Sequence, residues 1–166
     1  MTFTELYDRY FSKVYNYVRY HVGLAAEADD ITGKIFEAAL HRFGTYKEER
    51  GPLQAWLFGI ARNAVIDWAR ARNRRAEVSL EDSGYPAGNE PRPDAAFEKK
   101  EEAALILEAV GALDDRSKDV IALKFSSGLN NREIAVITGL GESNVGILIF
   151  RAVKKMQSRI EAKKKL

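Results

Sequence analysis

Apolar residues along the N-terminal half return at steps of three and four. Phe3, Leu6, Tyr7, Tyr10, Phe11, Val14, Tyr15 and Val18 share one face of a helix, because 3.6 residues per turn brings positions i, i+3, i+4 and i+7 together. The same spacing predicts a second helix from about Ala26 to Arg42, with Ile31, Ile35, Phe36, Ala39 and Leu40 as its apolar set. The strongest periodicity is in a third helix: Leu53, Trp56, Leu57, Ile60, Ala61, Ala64, Val65 and Trp68. Gly51-Pro52 marks its start, since proline at the first helical position lacks only an N–H that would be unpartnered there. No alternating strand pattern is visible. Three of the four prolines fall within Ser83–Pro93, a composition that reads as a linker. The predicted fold is therefore all-α: two small helical domains, 1–75 and 101–166, joined by a flexible linker over 76–100.

The most specific local pattern runs from Asn131 to Val145. A short helix turns Ile134, Ala135 and Ile137 inward, and Gly139 supplies a turn that other residues adopt poorly. A second helix follows, with Val145, Ile149, Ala152 and Met156 as its buried stripe. Small Ala135 lets the two helices cross closely, as a helix-turn-helix requires. The second helix then presents Glu142, Ser143, Asn144 and Ile147 at its N-terminal end, where major-groove readers contact bases. Arg132, Arg151, Lys154 and Lys155 are candidate phosphate contacts. The competing reading is an ordinary helical hairpin.

Net charge alone argues little, at +2 for 166 residues, but its distribution changes the picture. Arg151–Leu166 holds seven Lys/Arg against Glu161, and Arg62–Arg75 holds five arginines against Asp67. Ala76–Asp94 between them carries five acids against Arg92. Phosphate attraction follows local charge density, so two basic patches matter more than the sum. On the third helix, Asn63, Asp67, Arg70 and Arg74 fall in one strip beside the apolar stripe. Arg62, Arg72 and Arg75 point elsewhere and thicken the positive field. Arginines hold phosphates, while Asn and Asp hydrogen-bond base edges. Trp56 and the loop Arg42–Gly51, with Tyr46, offer a stacking surface for unpaired bases. A plain Arg-rich helix end, suited to the macrodipole, is the alternative, and both tryptophans also suit the core.

The sequence has no cysteine, which excludes disulfides and thiolate metal sites. With neither a signal pattern at the N-terminus nor an apolar run of membrane-spanning length, a soluble cytoplasmic protein is expected. His21 and His41 stand alone, there is no Gly-rich phosphate loop, and adjacent Asp29 and Asp30 diverge on a helix. Neither an enzyme nor a metal or other cofactor is expected.

Taken in order, these stretches resemble a known family: the aromatic first helix, Ala28-Asp29-Asp30-Ile31-Thr32 with Ile35-Phe36-Glu37-Ala38-Ala39, Trp56-Leu57-Phe58-Gly59-Ile60-Ala61-Arg62-Asn63 with Asp67, and Glu133-Ile134-Ala135 with Gly139, Val145 and Arg151-Ala152. Across nearly the whole chain this is similar to the extracytoplasmic-function (ECF) group of sigma-70 factors. The resemblance implies a non-catalytic subunit that binds bacterial core RNA polymerase and directs initiation at promoter DNA, held inactive by an anti-sigma factor. Residues 1–75 would correspond to sigma region 2, with Asp29, Asp30, Ile31, Lys34, Ile35 and Glu37 docking on polymerase. Tyr46, Trp56, Arg62, Asn63, Asp67, Arg70 and Arg74 would melt and read the −10 element. Residues 101–166 would be region 4, whose helix-turn-helix reads the −35 element.

Two further expectations follow. Residues 76–100 reach at most roughly 80 Å extended but about 28 Å as a relaxed coil. Promoter elements one and a half duplex turns apart lie roughly 50 Å from each other, so the free chain should bind promoters weakly and the polymerase-bound chain strongly. Family members usually place Thr before the Val145 position and basic or small polar residues after it; this chain has Asn144, Gly146, Ile147 and Leu148. Either −35 reading leans on methyl contacts and flanking lysines, or this face packs on an anti-sigma partner. A DNA-binding regulator with this helix-turn-helix would often carry a sensing domain with strands, and an adaptor would leave the Arg-rich helix unexplained.

Overall fold

A computed structural model describes the backbone of residues 1–78 and 97–166, and the side chains of 1–76 and 100–166. The proline-rich stretch Ser83–Pro93 lies outside the described residues. Among these there are seven α-helices and no strand: α1 (Phe3–His21), α2 (Ala25–Arg42), α3 (Leu53–Val78), α4 (Phe97–Gly111), α5 (Asp115–Ser127), α6 (Asn131–Thr138) and α7 (Glu142–Lys164). Two single 3₁₀ turns, Phe43–Thr45 and Glu48–Arg50, join α2 to α3.

Local chemistry sets the helix ends. At the start of α1, Glu5 N–H donates to Thr2 Oγ1 (3.2 Å) and Thr2 N–H to Glu5 Oε2 (2.7 Å), a reciprocal capping box. Asp114 caps α5 by accepting from Ser117 N–H at 3.2 Å, and these Ser117 hydrogen bonds hold its carboxyl below the usual range. Leu53 opens α3, one residue after the predicted proline start. Trp56 N–H still bonds Pro52 O at 3.2 Å, so the proline occupies the capping position. Gly128 (φ 72°) and Gly139 (φ 76°) end α5 and α6 in the left-handed conformation that glycine adopts without strain.

The predicted stripes of α1 to α3 face inward, with instructive exceptions. Leu6, Tyr10, Val14 and Val18 of α1, Ile31, Ile35, Phe36 and Ala39 of α2, and Leu57, Ile60, Ala61 and Val65 of α3 are buried. Tyr7 and Leu40, assigned to stripes, are exposed, while Tyr17 and Phe58, assigned to none, are fully buried. The two exceptions that turned inward meet edge to face, with ring centroids 5.7 Å apart. They lie inside because α1 packs on both α2 and α5. Its buried face is therefore wider than a one-sided helix needs.

Helix α5 joins the two units. Its Val120, Ala122 and Leu123 belong to one continuous apolar cluster with the buried residues of α1, α2 and α3. Its Ile121 packs with Val110, Leu113 and Ala152 in a second cluster. The two helical domains expected from the sequence are present, but they share an interior, and α6 also packs against α3.

Candidate nucleic-acid interface

The helix-turn-helix is built as its sequence predicts. Asn130 and Glu133 form a capping box that starts α6, with Glu133 N–H to Asn130 Oδ1 at 2.8 Å and Asn130 N–H to Glu133 Oε2 at 3.2 Å. Ile134 is fully buried, Ala135 and Ile137 are half-buried, and α7 crosses at a bend of 105°, within the range of DNA-binding pairs of this type. Val145 and Ala152 anchor α7 to the core. Lys124 Nζ donates to Asn131 Oδ1 at 2.9 Å and ties α5 to α6. On this frame Arg132, Glu142, Ser143, Asn144, Ile147, Arg151, Lys154 and Lys155 are all exposed. The same face is partly apolar: Val136, Ile147 and Phe150 are 80%, 48% and 62% exposed. Lys154 Nζ sits 4.7 Å over the Phe150 ring, a cation–π contact.

On α3, Asn63, Asp67, Arg70 and Arg74 are likewise exposed along one strip. Tyr46 and Trp56 are half-buried and lie together, ring centroids 5.5 Å apart, with Phe43 also near Trp56 at 6.5 Å. Tyr46 Oη donates to Gly51 O at 2.9 Å, which fastens the loop to the start of α3. Trp56 thus packs against the core and remains partly exposed. Arg72 stacks on Trp68 at 5.3 Å.

Arg62 is placed differently. Its Nε donates to Asp119 Oδ2 of α5 at 2.7 Å, and Tyr17 Oη donates to Asp119 Oδ1 at 2.8 Å. His21, read from the sequence as isolated, is beside them, with Nε2 3.6 Å from Asp119 Oδ1. That is too long for a hydrogen bond, and the nitrogen is buried without a partner. Burial would raise the Asp119 pKa, but His21, Arg62 and Tyr17 outweigh it and hold the carboxyl below its ordinary value. Burial, and then the Asp119 charge, push the Tyr17 hydroxyl well above its ordinary value, so it remains a donor. Nearby, Gln54 Nε2 donates to Ser127 O at 3.3 Å and makes a second polar link between the units. A cleft of about 550 Å³ opens beside this cluster, lined by Arg70 and Arg72 of α3 and by Arg116 and Lys118 of α5. Tyr17 and Asp119 were not legible as site residues, because each acquires its role only from the other unit.

On α2, Asp29, Asp30, Lys34 and Glu37 are exposed, whereas Ile31 and Ile35 are buried at 5% and 0% exposure. The isoleucines therefore fix the helix to the core, and the charged residues form its outward face. No single helix among the described residues is long and apolar enough to cross a membrane.

Residues 6–75 match the family model for Sigma-70 region 2, and residues 103–156 that for Sigma-70, region 4. The RNA polymerase sigma factor CnrH of Cupriavidus metallidurans is 32% identical over 143 residues, covering 82% of this chain and 74% of that protein. The ECF RNA polymerase sigma factor BldN of Streptomyces coelicolor is 36% identical over 155 residues. That match takes in 93% of this chain and 58% of BldN, so the chain spans little more than half of this relative. Among solved structures, the sigma factor RpoE of Bartonella quintana, in complex with the anti-sigma factor NepR, has the same fold. It aligns with a TM-score of 0.79 at 18% identity, over 96% of each chain.

Proposed function

The chain belongs to the extracytoplasmic-function group of sigma-70 factors, and from that premise we propose that it binds core RNA polymerase and directs initiation at specific promoters, without catalysis of its own. In this reading residues 1–75 act as region 2, 76–100 as the connection and 101–166 as region 4. The outward face of α2, with Asp29, Asp30, Lys34 and Glu37, docks on polymerase. The α3 strip of Asn63, Asp67, Arg70 and Arg74 engages the −10 element, with Tyr46 and Trp56 against unpaired bases. Helix α7 enters the major groove at the −35 element through Glu142, Ser143, Asn144 and Ile147, while Arg132, Arg151, Lys154 and Lys155 hold phosphates. The observation that carries the reading is this exposed reading face, set on a helix pair bent by 105°.

Run-off transcription with core polymerase on a genomic promoter library tests it. The expected result is transcripts from a small set of promoters sharing paired −10 and −35 sequences. If core polymerase neither binds the chain nor initiates with it on any template, the reading fails.

An anti-sigma factor holding the chain inactive is the second part of the proposal. Exposed Ile147 and Phe150, one turn apart on α7, favour it together with exposed Val136 on α6, since large apolar side chains left in solvent near one another suit a partner's surface. Ile147→Lys separates the two uses of this face. Loss of anti-sigma binding with promoter activity retained assigns it to the partner, and loss of −35 preference assigns it to DNA.

A further inference from the structure

The cleft of about 550 Å³ between α3 and α5 has two kinds of wall. One is cationic: Arg62, Arg70 and Arg72 of α3 and Arg116 and Lys118 of α5 line it together with only two carboxylates, Asp115 and Asp119. Asp119 is already engaged by Arg62. Among the described residues, Arg70, Arg72, Arg116 and Lys118 form no ion pair. The other wall is apolar, with Val65, Ile66 and Trp68 of α3 and Leu140 from the turn before α7. Trp68 is half-buried there, and the Arg72 guanidinium lies 5.3 Å from its ring centroid. We propose that this cleft is a binding site for a small phosphorylated ligand, a nucleoside carrying two or more phosphates, with its base against Trp68 and Arg72 and its phosphates among Arg70, Arg116 and Lys118.

Charge selects the sign of the ligand. Like charges gathered in a cleft repel one another, and low-dielectric walls strengthen the field they create. A multivalent anion relieves that repulsion, and guanidinium groups match the geometry of phosphate oxygens. Size and the apolar wall select the rest. Small-molecule sites have volumes of roughly 300–1,000 Å³ and combine apolar lining with a few placed polar groups, whereas inorganic phosphate alone would leave the Trp68 wall bare. An aromatic base stacks on an indole and on a guanidinium alike. Arg116 and Lys118 have no part in the surfaces assigned to DNA or polymerase. Arg70 does, so the ligand and the −10 strand compete for one side chain. That competition rests on the reading of α3 as a DNA-contacting helix; the binding does not.

Both tryptophans lie on α3, and only Trp68 lines the cleft. In the full chain carrying Trp56→Phe, Trp68 emission therefore reports occupancy. Titrated without divalent cations, ATP and GTP are expected to change it saturably and to raise the melting temperature. Adenosine and inorganic pyrophosphate should each bind at least about tenfold more weakly, since each meets one wall only. Arg116→Ala with Lys118→Ala should weaken ATP about tenfold or more. Arg116→Lys with Lys118→Arg, which keeps both charges, should retain most of the affinity. Two charges removed at the end of α7, Lys164→Ala with Lys165→Ala, should change it less than about twofold. Should the α5 alanine pair not fold, Arg116→Ala alone, at an exposed position, gives the same test. Unchanged Trp68 emission and melting temperature at millimolar ATP overturn the site. So does an α5 alanine variant that is folded by circular dichroism and binds ATP as the parent does. Pyrophosphate binding as tight as ATP assigns the cleft to a simple anion and overturns the nucleotide. A single-stranded −10 oligonucleotide that loses as much affinity as ATP in the α5 variant makes the cleft part of the DNA surface, and contradicts the proposal equally.

Discussion

The two surfaces assigned to DNA differ in how free they are. On α6 and α7 every assigned residue, from Arg132 to Lys155, stands in solvent. On α3 the strip is exposed, but Arg62, which points away from it, is tied to Asp119, and Arg70 lines a cleft walled by α5. The helix-turn-helix takes its turn, its cap and its stripe from its own half of the chain, through Gly139, the Asn130–Glu133 capping box and Val145–Ala152, although Ile134 and Val145 also join the shared core. The α3 surface is shaped by a residue more than fifty positions away. One surface thus stands wholly in solvent, and the other is exposed but bordered by the second half of the chain.

The seam between the halves should show the largest effects. Leu123 of α5 is fully buried in the cluster that contains the cores of α1 to α3. Leu123→Ala should cost about 2–5 kcal/mol. In urea titration followed by tryptophan fluorescence, whose reporters lie only on α3, the midpoint should fall although the substitution is on α5. An unchanged midpoint would mean that the halves unfold independently and the comparison is wrong. Next is Tyr17→Phe, which keeps the ring and deletes the donor to Asp119. It should cost about 1.5–3 kcal/mol, as for a hydrogen bond to a charged group, and loosen the inter-unit distance without unfolding either half.

Smaller effects are expected on the free reader. Gly146 lies inside α7, and a Cβ there would meet only Asn131 Nδ2 at 3.7 Å, an ordinary contact. Gly146→Ala should stabilise by up to about 1 kcal/mol, seen as a higher melting temperature with −35 binding preserved. Arg132→Ala should leave stability within about 0.5 kcal/mol of the parent. It should lower the slope of log affinity against log salt by about 1 on −35 duplex DNA, one phosphate contact fewer.

This ordering parallels what the sequence could and could not reveal. Helix type, most of the α2 and α3 stripes, the Gly139 turn and the Val145 and Ala152 positions of the α7 stripe follow from spacing within a dozen or so residues and are present in the fold. The exposure of the assigned residues on α6 and α7 was legible for the same reason. Tyr17, Phe58 and Asp119 were not, because their burial depends on α5 lying against α1, a contact between positions separated by 102 residues in the Tyr17–Asp119 hydrogen bond. Periodicity gives the phase of a helix but not the number of neighbours it serves. Tyr7 and Leu40 err in the other direction, apolar at stripe positions but left at the rim where the stripe outruns its partner. Ile31 and Ile35, expected from the family resemblance on a docking face, are buried instead, because a motif match does not say which of its residues the fold turns inward.

The most direct measurement is the distance between labels on Asn16→Cys and Gln157→Cys in the same preparation before and after adding core RNA polymerase. The account predicts a short, narrow distance for the free chain and a shift of roughly 30 Å to longer values in the complex. A stable complex in which the short distance persists would contradict it.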